Sequence, residues 1–74
     1  MPHINIQMYP GRSNSLKAKA AAEVIAALVH VLGIGKDAIS VSIEDIPKEE
    51  WNSKVAEHRE DGGKTLFIDK GESV

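Results

Sequence analysis

The chain has 74 residues, no cysteine, three histidines and a formal net charge of −2 at neutral pH. That length makes a single small domain, the missing cysteine excludes disulfides and thiolate metal sites, and the slight acidic excess argues against nucleic acid as a partner. No apolar run reaches membrane-spanning length and no secretory pattern opens the chain, so the expectation is a cytoplasmic protein without a membrane partner. A domain this small buries a modest share of its surface and gains by covering more of it with copies of itself.

Ile4, Ile6 and Met8 alternate with His3, Asn5, Gln7 and Tyr9, which predicts a half-buried strand over about 3–9. Ahead of it stands Met1-Pro2. Aminopeptidases usually trim an initiator Met before a residue as small as proline, and trimming leaves Pro2 with a free secondary amine. A strand holds that amine still, burial disfavours its charged form, and an amine with a lowered pKa acts as a general base near neutral pH. The same residues also fit a strand that merely opens with proline.

Pro10-Gly11 makes a turn, and Ser13 and Ser15 are both candidate caps for the helix that follows. The alanine-rich stretch, free of glycine and proline, predicts a helix over about 15–32. Leu16, Ala20, Val24, Ala27, Leu28 and Val31 form its apolar stripe, widened by Ile25, Val29 and Leu32, with Lys19, Glu23 and His30 opposite. So broad an arc is expected to touch more than the sheet of its own subunit. Gly33 and Gly35 end the helix. The run Gly33-Ile34-Gly35-Lys36 is not a phosphate loop, because one residue separates the glycines and Asp37 follows the lysine.

Alternation returns at Ile39, Val41 and Ile43, predicting a strand over about 39–46. Strand, helix and strand in this order give an α/β (α+β) subunit of β-α-β type with parallel strands and a right-handed crossover. Pro47 breaks the strand and a short helix is expected over about 48–58. A turn at Asp61-Gly62-Gly63, a short strand over about 65–68 and a loose tail from Lys70 to Val74 complete one domain spanning 1–74. The open sheet edges, with the short last strand available to pair with another subunit, add to the case for a homo-oligomer.

His3, His30 and His58 lack metal-ligand spacing, and nothing resembles a cofactor loop, so neither metal nor cofactor is expected. His30 and His58 read as solvated, and His3 as a strand residue beside the candidate base. The serines lack a nucleophile-elbow context. Arg12 leaves the first strand in a loop, where a guanidinium can grip a carboxylate bidentately or simply be surface charge. Trp51, the single tryptophan, suits either a core anchor or the wall of an apolar pocket.

Pro2, Arg12 and Trp51 together resemble the 4-oxalocrotonate tautomerase family of the tautomerase superfamily. The likeness runs through Met-Pro-His-Ile-Asn-Ile, Pro-Gly-Arg-Ser-Asn-Ser-Leu-Lys, the long helix and Ser-Val-Ser-Ile-Glu-Asp-Ile, and its ending is similar to the small bacterial phenylpyruvate-type branch. The resemblance implies a hexamer or dimer of β-α-β subunits and cofactor-free keto–enol chemistry on an α-keto acid or its dienol. It assigns Pro2 as general base and acid, Arg12 as the carboxylate binder and Trp51 as the pocket aromatic that keeps the amine's pKa low. Several members carry a second arginine, contributed by a neighbouring subunit, where this chain has Ser40. One arginine and a tryptophan suit a monocarboxylate with an apolar or aromatic tail, such as an arylpyruvate, better than a dicarboxylate. Two other readings share the fold: a non-catalytic oligomeric module that binds small acids, and a hydratase or dehalogenase relative. The latter adds water, and no carboxylate stands on the first strand or helix start to activate one.

Overall fold

The computed structural model describes residues 1–60 and 62–73. Strand β1 (His3–Met8) leads through a loop into helix α1 (Asn14–Leu32), and a 3₁₀ turn (Lys36–Ala38) feeds strand β2 (Ser40–Asp45). A second 3₁₀ turn (Lys48–Glu50) runs into helix α2 (Trp51–Arg59), and the chain ends in a small hairpin of β3 (Ile68–Asp69) and β4 (Glu72–Ser73). β1 and β2 pair in parallel from His3 opposite Ser40 to Met8 opposite Asp45. The pairing is extended at both ends, where Ser40 N–H donates to the Pro2 carbonyl at 3.2 Å and Ile46 N–H to the Met8 carbonyl at 2.8 Å. The expected β-α-β unit with parallel strands and a long helix is therefore present.

Of the two candidate caps, Ser13 takes the role. Its backbone is extended and its hydroxyl accepts from Leu16 N–H, which satisfies one of the free donors of the first turn. Ser13→Ala is expected to lower stability by about 1 kcal/mol, read from urea unfolding at fixed protein concentration. At the other end Gly33 adopts the left-handed conformation (φ 69°) and donates its N–H to Val29 O at 3.0 Å, closing the helix. Lys17 on α1 reaches Asp45 at the end of β2, Nζ to Oδ2 2.8 Å, and pins the start of the helix to the sheet.

The C-terminal segment departs from the sequence expectation. Residues 65–67 are not strand, and the segment read as a loose tail forms half of a hairpin instead. The reason is the turn chemistry. Lys70 (φ 50°) and Gly71 (φ 80°) both take positive φ, the signature of a two-residue type I′ turn, and that turn sets Ile68 against Ser73 and Asp69 against Glu72. The last strand thus pairs within its own chain. Arg59 ties the hairpin to α2 through Asp69 at 2.6 Å. The expected turn at 61–63 begins on Asp61, which lies outside the described residues.

The helix face also differs from the expected stripe. Val24, Ile25, Leu28 and Val29 are half-buried, whereas Leu16, Ala20, Ala27 and Val31 are exposed, Leu16 by 55% and Val31 by 75%. A two-stranded sheet is too narrow to cover a stripe that broad. A second exposed flank carries Ala18, Ala22 and Ala26, beside an apolar groove of about 460 Å³ lined by Ala22, Ile25, Ala26, Val29 and Lys36. Among the described residues only Ile39 and Ile46 count as buried hydrophobics. The protomer exposes 5820 Å², against about 4,450 Å² expected for a self-sufficient monomer of this mass.

Candidate active site

The alternation of β1 and β2, set in parallel register, sorts their side chains onto two faces. Ile4, Ile6, Val41 and Ile43 are half-buried on one face, which Asp45 shares by strand parity as it reaches across to Lys17 of α1. The other face carries His3, Asn5 and Gln7 beside Ser40, Ser42 and Glu44, and these side chains bond across the strands. His3 Nδ1 lies 2.6 Å from Ser40 Oγ, and its Nε2 lies 3.2 Å from Ser42 Oγ. Asn5 Nδ2 donates to Ser42 Oγ at 2.8 Å, and Gln7 Nε2 to Glu44 Oε2 at 3.3 Å.

Pro2 stands at the head of this ladder. It is half-buried, its carbonyl is held by Ser40 N–H, and Met1 before it is fully exposed, which leaves the Met1–Pro2 bond open to a peptidase. Pro2 and Ser40 therefore share one end of the sheet. Arg12 and Trp51 belong to the other end. Trp51 packs edge-to-face on Tyr9, with ring centroids 4.8 Å apart and planes at 66°, an arrangement favoured by the ring quadrupoles. Arg12 follows the Pro10-Gly11 turn, is exposed, and among the described residues its side chain makes neither an ion pair nor a hydrogen bond.

Pro2 and Arg12 are thus separated by the whole of the six-residue β1, about 20 Å at ~3.3 Å per residue. Of the four residues singled out from the sequence, a single protomer brings together Pro2 with Ser40 and places Arg12 and Trp51 at the far end. Neither Tyr9 as the partner of Trp51 nor the His3–Ser42–Asn5 ladder stands out in the sequence alone. The signal for the ladder is the matched polar alternation of two strands, and it becomes legible once they are set parallel and in register.

Between the polar face of the sheet and α2 lies a cleft of about 310 Å³, lined by Asn5, Gln7, Trp51, Val55 and His58. Its floor of side-chain amides and its wall of Trp51 and Val55 fit a small molecule with one polar and one apolar side. Among the described residues no group of three or more His, Asp or Glu is placed to hold a metal ion, and no helix is long and apolar enough to cross a membrane.

Residues 2–59 match the family model described as "Tautomerase enzyme". A probable tautomerase from Xylella fastidiosa (strain 9a5c) is 40% identical over 55 residues, covering 74% of this chain and 67% of that protein. Among solved structures, one from a study of the 4-oxalocrotonate tautomerase isozymes of Methylibium petroleiphilum superposes with a TM-score of 0.64 at 32% identity, covering 68% of this chain and 81% of that one. TomN, a 4-oxalocrotonate tautomerase homologue in the tomaymycin biosynthetic pathway, superposes with a TM-score of 0.65 at 26% identity, covering 99% of this chain and 88% of that one.

Proposed function

The chain belongs to the 4-oxalocrotonate tautomerase family and is an isomerase of the tautomerase type, and on that premise we propose that it interconverts the enol and keto forms of an arylpyruvate-type or 2-hydroxydienoic acid, with Pro2 as the proton carrier. Removal of Met1 turns the Pro2 nitrogen from an amide without a basic lone pair into a secondary amine. That amine takes the proton of the enol hydroxyl and returns a proton to the substrate's C3, so the reaction is balanced within the substrate and needs no cofactor. The observation that carries the reading is the anchoring of Pro2. Its carbonyl is hydrogen-bonded to Ser40 at the head of a paired strand, so the amine is positioned rather than frayed.

Arg12 binds the substrate carboxylate, and its lack of a partner among the described residues leaves all of its donors for that task. Trp51 walls the apolar side of the pocket and excludes water from the amine. Ser40 takes the place of a second cation and supplies a neutral donor. That favours a monocarboxylate over a dicarboxylate such as oxalocrotonate, the compound for which the Methylibium enzymes are named.

The protein works as a homo-oligomer in which the Pro2 and Ser40 end of one protomer meets the Arg12 and Trp51 end of another. Support comes from the separation of the two ends along β1, from the uncovered apolar flanks of α1 and from the surface in excess of a monomer's. Its cytoplasmic location rests on the sequence expectation.

The test is the ultraviolet decay of phenylenolpyruvate with Met1-free protein, where a rate well above the buffer reaction is expected. Arg12→Ala is expected to lower kcat/KM by about ten- to a hundredfold, the loss for removing a charged hydrogen bond worth ~1.5–3 kcal/mol. An Arg12→Ala protein with unchanged kcat/KM would remove Arg12 from the site.

A further inference from the structure

The polar ladder beside Pro2 begins with a group that can only donate. Asn5 Nδ2 can only donate, so Ser42 Oγ accepts from it at 2.8 Å. The Ser42 hydroxyl proton is then free to point at His3 Nε2, 3.2 Å away. A ring that accepts at Nε2 carries its proton on Nδ1, and that N–H donates to Ser40 Oγ at 2.6 Å. With the ring in that tautomer, the chain ends on Ser40 with the hydroxyl proton unclaimed.

We propose that Asn5, Ser42 and His3 form a one-way hydrogen-bond relay that presents the Ser40 hydroxyl as a donor to a substrate oxygen beside Pro2. The inference rests on the reading of Pro2 and Ser40 as parts of a tautomerase site. His3, Ser42 and Asn5 are positioning residues, because they act through Ser40. A lone serine hydroxyl rotates among three staggered positions and serves as donor or acceptor indifferently. With a lone pair occupied by the short bond from His3, the Ser40 proton is turned outward and its O–H is polarised by the donors behind it.

Strand register holds every member. His3 stands opposite Ser40 and Asn5 opposite Ser42, so the backbone pairing sets the spacing of the relay. Ser40 N–H is bonded to the Pro2 carbonyl, which sets the backbone of Ser40 against that of Pro2. A preorganised neutral donor meets an oxygen on which charge develops during proton transfer and stabilises it without adding a second fixed charge. A neutral donor of this kind fits a substrate with one carboxylate.

Two measurements test this. The first is a double-mutant cycle on phenylenolpyruvate ketonisation with Met1-free proteins, using His3→Phe, Ser40→Ala and the double variant. Ser40→Ala is expected to lower kcat by about ten- to a hundredfold. His3→Phe is expected to lower kcat by about tenfold when Ser40 is present and to change nothing when it is absent, because its effect runs through that hydroxyl. Losses that multiply, or a His3→Phe protein at the parent rate, would overturn the relay.

The second measurement, ¹⁵N NMR of the His3 ring, needs no turnover. The parent is expected to show the Nδ1–H tautomer, and Ser42→Ala to lose that bias. An Nε2–H ring in the parent would overturn the relay as well. Absence of any rate in the parent protein strikes the tautomerase site itself. A parent that turns over yet shows an Nε2–H ring strikes the relay alone.

Discussion

A protein carrying extra residues ahead of Pro2 is expected to ketonise phenylenolpyruvate at least about a hundredfold more slowly than the Met1-free chain, with every side chain unchanged. Only one atom's chemistry differs between the two. In the extended chain the Pro2 nitrogen is a tertiary amide whose lone pair is delocalised into the carbonyl, and it cannot accept a proton near neutral pH. In the trimmed chain it is an amine. Pro2→Ala, which keeps a terminal amine but loses the ring that holds it, is expected to lose about a hundredfold as well. Circular dichroism and sedimentation should match across the three proteins, since β1 pairs with β2 from His3 onward whatever precedes it. An extended chain as active as the trimmed one would remove Pro2 as the proton carrier and favour a site elsewhere on the same fold.

Most of the protomer's architecture is legible in the sequence because its signals are local. The alternation at Ile4, Ile6 and Met8 and again at Val41 and Ile43 encodes the two strands, and a glycine-free alanine run closed by Gly33 encodes α1. The hairpin at 68–73 is harder to read, since it depends on Lys70 accepting a positive φ that the residue type disfavours. A turn signal of Asn-Gly or Asp-Gly would have announced it, and Lys-Gly does not. The width of the helix stripe is legible, but what covers it is not. The apolar positions number more than a two-stranded sheet can bury, so Leu16 and Val31 lie bare in the protomer.

The candidate site divides in the same way. Residue types point to Pro2, Arg12, Trp51 and Ser40, yet sequence order says nothing of their separation. That separation depends on β1 running straight between two of them. The His3 relay depends on register, which follows from pairing and not from either strand alone.

Activity above that of either parent is expected when two impaired proteins, Pro2→Ala and Arg12→Ala, are unfolded together and refolded as a mixture. Within one protomer Pro2 and Arg12 stand at opposite ends of β1, about 20 Å apart at ~3.3 Å per residue, and a single keto acid cannot touch both. On the proposed mechanism, a working site takes its amine from one chain and its guanidinium from another. In random equal mixing, half of the sites draw their amine from an Arg12→Ala chain, where Pro2 is intact. Half of those draw their guanidinium from a Pro2→Ala chain, where Arg12 is intact, so about a quarter of all sites regain both groups. Each parent refolded alone has none. The gain, to about a quarter of the unsubstituted protein's activity, is measured against variants that keep at most about a tenth of it. A mixture no more active than its parents, with mixed oligomers confirmed by native mass spectrometry, would mean that both groups act from one chain. The loop carrying Arg12 would then have to fold back along the sheet, and the bond between Lys17 and Asp45 that pins the start of α1 opposes that movement.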